Sequence, residues 1–276
     1  MAPYDDLLRK LDEKAFLGLR AWDFSFRSLP HQYAIAFLQE VVLRHPLRTL
    51  AGLLSYRRVV KRDSKESDTT HLFPKVKKDF QHRAAEAEGT FLVAVSFCQK
   101  AVRDLGSHNG CAAGRFNHYC QYMAELDISK PKEIPFVCHG CDIRPIATKA
   151  LLAGANMHIM TSALDVLHDI FVPSLEKARF SSAIFCVCPY SVHPITLPLH
   201  ICGIESSVVQ FNSGYCADYS QWSLADSGIK NERTFVSPEA HRTILDFLDG
   251  VAEIRAELEM TVYHRFHLEG NIYVPV

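Results

Sequence analysis

Short apolar runs alternate with longer segments of helical periodicity along residues 91–276. The apolar runs predict buried strands at 91–97, 134–137, 157–160, 183–187 and 208–211. The helical segments are 143–153, 164–176, 192–200 and 238–259, and Ser237 before Pro238 is a typical helix start. This alternation predicts an α/β fold, a parallel sheet of about five strands flanked by helices.

The pattern before residue 91 is helical, with no strand-like run. Residues 63–90 begin as a polar linker and continue as a charged helix that Gly89 ends. We therefore expect three parts: an α-helical N-terminal appendage (1–62), a linker and helix (63–90), and an α/β cysteine-rich domain (91–276).

The segment 33–62 is amphipathic and basic. Its apolar run is interrupted by Glu40 and Arg44 and ends in Arg57, Arg58, Lys61 and Arg62. This pattern favours a helix packed on the main domain. The alternative is a peripheral membrane contact or a contact with a partner protein.

Composition narrows the class of protein. The 276 residues have a formal net charge of −1, so no global field favours nucleic acid as a partner. The sequence has no run of about 18 apolar residues, so we expect no membrane-spanning helix. The charged segment Met1–Lys14 has no apolar core of a secretory signal, so we expect a cytoplasmic location and reduced cysteines, nine in all.

The sequence Cys138-His139-Gly140-Cys141-Asp142 lies where a predicted strand meets a predicted helix. A helix N-terminus stabilises thiolate, the form of cysteine that binds metals and attacks disulfides. A complete metal site needs about four ligands, and further cysteines lie upstream. The predicted ligands are Cys111, Cys120, Cys138 and Cys141, with Cys98 as a further candidate metal ligand.

All-thiolate ligation suits an iron–sulfur cluster or zinc. The spacing matches neither the C-x-x-C-x-x-C run of ferredoxins nor the paired C-x-x-C knuckles of zinc ribbons. A [4Fe–4S] cluster is our first expectation for the cofactor and zinc the second.

Polar residues and cysteines follow each predicted strand. In an open parallel sheet the carboxyl ends of the strands share one edge, where ligands bind. We therefore expect five sequence positions to approach one another there: Cys98, the segment 138–142, Thr161-Ser162, the segment 186–190 and the segment 212–216. The predicted catalytic residues are Cys188, Ser162 and Asn212.

Residues 138 to about 218 resemble the cysteine-rich domain-of-unknown-function family numbered 116. That family has a C-x-x-C-D-I-G type motif, then a strand ending in a small polar turn and a later strand ending in a cysteine. The matching stretches are Cys138-His139-Gly140-Cys141-Asp142-Ile143, Met160-Thr161-Ser162 and Cys186-Val187-Cys188-Pro189. Arg144 stands where the family has glycine. The resemblance implies a metal or iron–sulfur cofactor more than it implies a reaction.

These observations predict a metalloprotein that binds an iron–sulfur cluster and acts in a redox or biosynthetic step. As an enzyme it would be an oxidoreductase or a lyase, with a small-molecule substrate or a redox partner protein. One alternative is a metal-free thiol oxidoreductase, in which Cys138 attacks and Cys141 resolves. The other is a non-enzymatic accessory protein that docks through its N-terminal helices.

Overall fold

The computed structural model describes residues 32–63, 78–102, 110–130 and 132–276. The expectations for residues 1–31 and for the linker at 64–77 lie outside the described residues. In the described ranges, no helix combines the length and the apolar character that crossing a membrane requires.

The helical segments alternate with strands from residue 91 onward. The helices are α1 (Gln32–Phe37), α2 (Pro46–Asp63), α3 (Lys78–Glu86), α4 (Gln121–Glu125), α5 (Phe136–His139), α6 (Ile143–Leu152), α7 (Ala163–Val166), α8 (Val172–Lys177), α9 (Val192–Cys202), α10 (Tyr219–Asp226) and α11 (Pro238–Glu257). Two π-helical segments, Leu38–Leu43 and Leu167–Phe171, follow α1 and α7. The strands are β1 (Phe91–Ser96), β2 (Asn156–Met160), β3 (Ser182–Val187), β4 (Glu205–Ser213), β5 (Phe235–Val236), β6 (Phe266–Glu269) and β7 (Ile272–Pro275).

The strands of the described residues form one seven-stranded sheet in the order β5-β4-β3-β1-β2-β7-β6. β1 pairs in parallel with both β2 and β3, and β3 pairs in parallel with β4. The chain therefore leaves β1 on one side to form β2 and returns past β1 to form β3. Such a reversal opens a crevice outside the carboxyl ends of β1 and β3.

The predicted α/β class and the helical N-terminal segment are confirmed. Four of the five predicted strands are present, but the strand at 134–137 is wrong. Pro135 precedes a single helical turn, α5, at this point. Proline has no N–H to donate to a sheet ladder, which explains why the run does not join the sheet.

Three antiparallel strands extend the sheet beyond the prediction. β5 pairs with β4 at one edge, and the β6–β7 hairpin pairs with β2 at the other. The hairpin turn is Gly270-Asn271, a dipeptide typical of tight hairpins.

Helices cover both faces of the sheet. Phe91, Val93 and Val95 of β1 belong to the core that α3, α6 and α11 cover. Leu92 and Ala94 belong to the opposite core, under α1, α2 and α9. Because successive side chains of a strand point to opposite faces, the continuous apolar run of β1 requires helices on both sides.

The N-terminal helices are part of this second core. Tyr33, Phe37 and Tyr56 are buried in it together with Leu92 of β1. At Gly52, an added Cβ would lie 2.5 Å from the Cα of Ile201 in α9, so the backbones of α2 and α9 are in contact. This agrees with the interpretation of 33–62 as helices packed on the main domain.

Gly52→Val should destabilise the protein, because any side chain at this position overlaps the backbone of α9. Overpacking of this kind costs about 1–3 kcal/mol of unfolding free energy. The measurement is urea unfolding. The matched control is Ala51→Val, which places the same side chain at the neighbouring exposed position and should cost about 0.5 kcal/mol. Equal stabilities of the two variants would contradict the contact between α2 and α9.

Candidate functional site

A pocket lies at the reversal of the sheet, between the carboxyl ends of β1 and β3. Segments that follow four different strands contribute to its wall, as the parallel topology requires. These residues are Cys98 after β1, Thr161 and Ser162 after β2, Cys188 after β3 and Cys216 after β4. The expected convergence is therefore present for four strand ends. The expectation was wrong for the segment 138–142, which does not line the pocket because no strand forms at 134–137.

Two of the three predicted catalytic residues line this pocket. Ser162 caps α7, where its hydroxyl accepts the Asp165 N–H at 3.1 Å, and Cys188 is buried in the pocket wall. Asn212 is exposed on β4 and does not line the pocket. β4 continues to Ser213, past the predicted end at residue 211, so the segment that reaches the pocket begins later and contributes Cys216 instead.

The four predicted ligands Cys111, Cys120, Cys138 and Cys141 lie near one another in a separate group, the four-cysteine group. The pKa of Cys120 and of Cys138 is raised to about 11, mainly by burial and in smaller part by the thiols of Cys111 and Cys141. Cys111 also raises the pKa of Cys141. The sulfurs of four distant sequence positions are therefore within electrostatic reach of one another. Cys98 lies apart from this group.

The C-x-x-C loop joins two helices, in place of the strand and helix that were predicted. Cys138 is in the last turn of α5, and Cys141 lies two residues before α6. Burial raises the pKa of Cys141, although the N–H groups of Ile143 and Arg144 lower it. The expected effect of a helix N-terminus thus reaches Cys141 but is outweighed by burial, and it does not reach Cys138.

Lys100 lies beside the four-cysteine group and is almost fully buried, at 1% exposure. Its ammonium donates to the backbone carbonyls of Asn117 and Tyr119, each at 2.7 Å, and to the side-chain oxygen of Asn117 at 2.9 Å. Burial lowers its pKa, and the thiols of Cys111, Cys120 and Cys141 act in the opposite direction. In the described part of the chain, no carboxylate forms a salt bridge with this ammonium.

A second set of thiols, the pocket thiols, comprises Cys98, Cys188 and Cys216. The backbone N–H of Cys216 donates to the Cys188 sulfur at 3.4 Å, and the Lys230 ammonium donates to the Cys216 sulfur at 3.7 Å. A side-chain hydrogen bond from Cys188 lowers the pKa of Cys216, and Lys230 lowers it further against the effect of burial. The same hydrogen bond, together with burial, raises the pKa of Cys188.

The loop that supplies Lys230 is fixed to the end of β1 by Arg115. The Arg115 guanidinium donates to the carbonyls of Lys230, Glu232 and Cys98. Gly214 lets the loop after β4 pass close to the backbone of Arg233. Its φ is +62°, and an added Cβ would overlap the carbonyl oxygen of Arg233. These contacts place Lys230 against the Cys216 sulfur.

A histidine–carboxylate network adjoins the pocket at Thr161. His118 Nε2 lies 3.3 Å from Asp165 and 3.2 Å from the Thr161 hydroxyl, and its Nδ1 faces the Ile159 carbonyl at 2.8 Å. His158, fully buried, lies 3.1 Å from Asp169. Within the described ranges, three ligand atoms lie within 4.8 Å of one another at one place, His118, His158 and Asp169.

Lys100, Lys230 and the His118–Asp165 pair were missed by the sequence reasoning. Lys100 had a usable signal, because it closely follows a buried apolar strand. A lysine at such a place must find partners for its charge. Lys230 and Asp165 had none, since each meets its partner only through the tertiary fold.

Comparison with protein-family models, with curated proteins and with solved structures found no match to this chain. The class of this protein therefore comes from its fold. It is a doubly wound α/β protein with a candidate ligand pocket where the order of the strands reverses, between β1 and β3. The resemblance to the family numbered 116 stays a prediction.

Asp165→Asn should lower the pKa of His118. Burial alone lowers that pKa, and the hydrogen bond to Asp165 is the largest of the effects that raise it above the ordinary value. NMR titration of the His118 ring protons measures the change. An unchanged His118 pKa in the variant would show that Asp165 is not its partner.

The pair should also stabilise the fold in a defined pH window. The raised pKa of His118 gives stability that is lost as pH rises through it, and the depressed pKa of Asp165 gives stability that is lost as pH falls through it. The difference in unfolding free energy between wild type and Asp165→Asn should therefore be largest between about pH 4 and pH 6.5.

Proposed function

We propose that this protein binds a [4Fe–4S] cluster through Cys111, Cys120, Cys138 and Cys141 and acts on a small molecule in the pocket between β1 and β3. The observation that supports the cluster most is the grouping of the four thiols, three of which (Cys111, Cys120 and Cys141) interact with the buried Lys100 ammonium. Such a cluster would supply either electron transfer or a Lewis-acidic iron.

The buried charge of Lys100 is the physical reason to expect metal-bound thiolates here. Removing an ammonium from water costs several kcal/mol unless a nearby negative charge compensates it. Among the described residues, the oxygens around Lys100 belong to carbonyl and amide groups, and neutral thiols add no charge. Four metal-bound thiolates would give the group a net negative charge and provide the missing counter-charge. Lys100 already lowers the pKa of Cys120.

The spacing of the sulfurs favours iron–sulfur over zinc. Zinc at about 2.3 Å from each sulfur would require the sulfurs to lie about 3.8 Å from one another. In the described residues, no three cysteine sulfurs lie within 4.8 Å of one another. A cubic cluster binds each thiolate to a different iron atom, so its ligand sulfurs stand further apart.

The metal-free alternative at Cys138 and Cys141 has less support. An attacking thiol needs a depressed pKa, whereas burial raises the pKa of both cysteines. The proximity of Cys111 and Cys120 would also have no role in that reaction.

A membrane contact is a second candidate function for the N-terminal helices. Leu47 is 82% exposed and Leu43 66%, and Leu50 and Leu54 continue the same stripe along α2. Arg57 and Arg58 follow at its end. An exposed apolar stripe next to basic residues is suited to the interface of a membrane with anionic lipids.

Anaerobically purified protein should be brown, with absorbance near 400 nm and about four iron and four sulfide per chain. Serine at position 111, 120, 138 or 141 should remove most of the iron, because each substitution deletes one ligand. Iron and sulfide analysis with the visible spectrum measures this.

The matched control is Cys202→Ser, which removes a half-buried thiol next to the Phe171 carbonyl, far in sequence from the group. It should keep its iron. A colourless protein that contains zinc, or equal iron content in all five variants, would contradict the proposal.

The membrane candidate predicts co-sedimentation with vesicles that contain phosphatidylserine and weaker sedimentation with phosphatidylcholine alone. Leu47→Glu should reduce binding, since it places a charge in the centre of the stripe. Val262→Glu changes another exposed apolar residue, 66% exposed and outside the stripe, and this variant should bind as wild type does. Protein that stays in the supernatant with both vesicles, or binding equal in all three proteins, would contradict a membrane role.

A further inference from the structure

We propose that Cys216 and Cys188 form a dithiol that exchanges with the disulfide bond of a small molecule bound in the pocket between β1 and β3. This inference goes beyond the metal site, since none of the four proposed ligands takes part. It assigns the attacking role to Cys216 and the resolving role to Cys188.

The first support is the contact between the two cysteines. The Cys216 N–H donates to the Cys188 sulfur at 3.4 Å, and the two thiols shift each other's pKa in opposite directions. β3 and the segment after β4 bring the two cysteines together from positions 28 residues apart. Both cysteines are free, so the pair is in the dithiol form.

The second support is the asymmetry between the two thiols. Lys230 donates to the Cys216 sulfur at 3.7 Å, and no such contact reaches Cys188 among the described residues. The Cys188 side chain and, after it, Lys230 lower the pKa of Cys216, whereas the interaction with Cys216 and burial raise the pKa of Cys188, so thiolate forms more readily at Cys216. An attacking thiol and a resolving thiol differ in this way.

The third support is access from the pocket. Both sulfurs belong to residues of the pocket wall, and Phe97, Met160 and Trp222 supply apolar surface around them. A small neutral disulfide fits such a wall better than a charged one. Cys186 also lines the pocket, but it has no hydrogen-bonded lysine among the described residues, and burial raises its pKa to about 12.

The Cys216 thiolate attacks one sulfur of the substrate, a bond forms between them, and the other substrate sulfur leaves as a thiolate that takes up a proton. Cys188 then loses its proton and attacks Cys216, which releases the second substrate thiol. Two electrons pass from the protein dithiol to the substrate disulfide, and the protein retains a Cys188–Cys216 disulfide.

The test is to treat reduced full-length protein with 2-hydroxyethyl disulfide and map its disulfides by mass spectrometry under non-reducing conditions. Wild type should form a Cys188–Cys216 disulfide and release two thiols per chain. Cys188→Ser should instead accumulate a mixed disulfide on Cys216, and Cys216→Ser should form neither product. A Cys188–Cys216 link that fails to form in wild type, or a first mixed disulfide on another cysteine, would overturn the proposal.

Lys230→Met tests the positioning role of Lys230. It should slow mixed-disulfide formation at pH 7 roughly threefold to tenfold and shift the pH profile of Cys216 alkylation upward, towards the ~8.5 of an ordinary thiol. An unshifted profile would contradict that role. Cys138→Ser separates this proposal from the cluster, because it should lose iron and still form the Cys188–Cys216 disulfide.

Discussion

One buried ammonium group organises the thiol-rich edge of this sheet. Lys100 follows the short 3₁₀ turn Phe97–Gln99 at the end of β1 and is 1% exposed. Its charge is met by oxygens of the segment 114–119, which must fold around it. Cys111 and Cys120 flank that segment and are thereby held near Cys138 and Cys141.

The end of β1 separates the two sets of thiols. Cys98 faces the pocket and the pocket thiols, whereas Lys100, two residues later, contacts the four-cysteine side. Arg233 links the sides, since it donates to the Gln99 carbonyl at 3.0 Å and lies 3.4 Å from Asp142 beside Cys141. A redox centre on one side and a reactive dithiol on the other would therefore be close neighbours on a rigid part of the fold.

The sequence was most informative where apolar residues form an uninterrupted run. The runs of β1, β2, β3 and β4 are long enough for a strand and contain no proline. The pattern therefore predicted these four parallel strands and the residues that follow each of them. The run at 134–137 contains Pro135, and its failure shows that length and apolar character without a complete set of backbone donors do not make a strand.

Other features could not be derived from the chain before it folds. The β6–β7 hairpin had a signal in Gly270-Asn271, but its pairing with β2 depends on tertiary packing. The four-cysteine group was expected from the C-x-x-C motif, the upstream cysteines and the resemblance. The structure shows electrostatic interactions of Cys111 and Cys141 with the other members, and shared metal ligation stays a prediction. The contrast between Cys216 and Cys188 was not predicted, because it depends on Lys230, which Arg115 positions through the fold.

The central claim is that four thiolates beside Lys100 share one inorganic centre. X-ray absorption at the iron edge of anaerobically purified protein tests it most directly. The account predicts a first shell of sulfur alone around iron and a second shell of iron neighbours, as in a cubic cluster. A first shell of nitrogen and oxygen, or no iron bound at all, would contradict it.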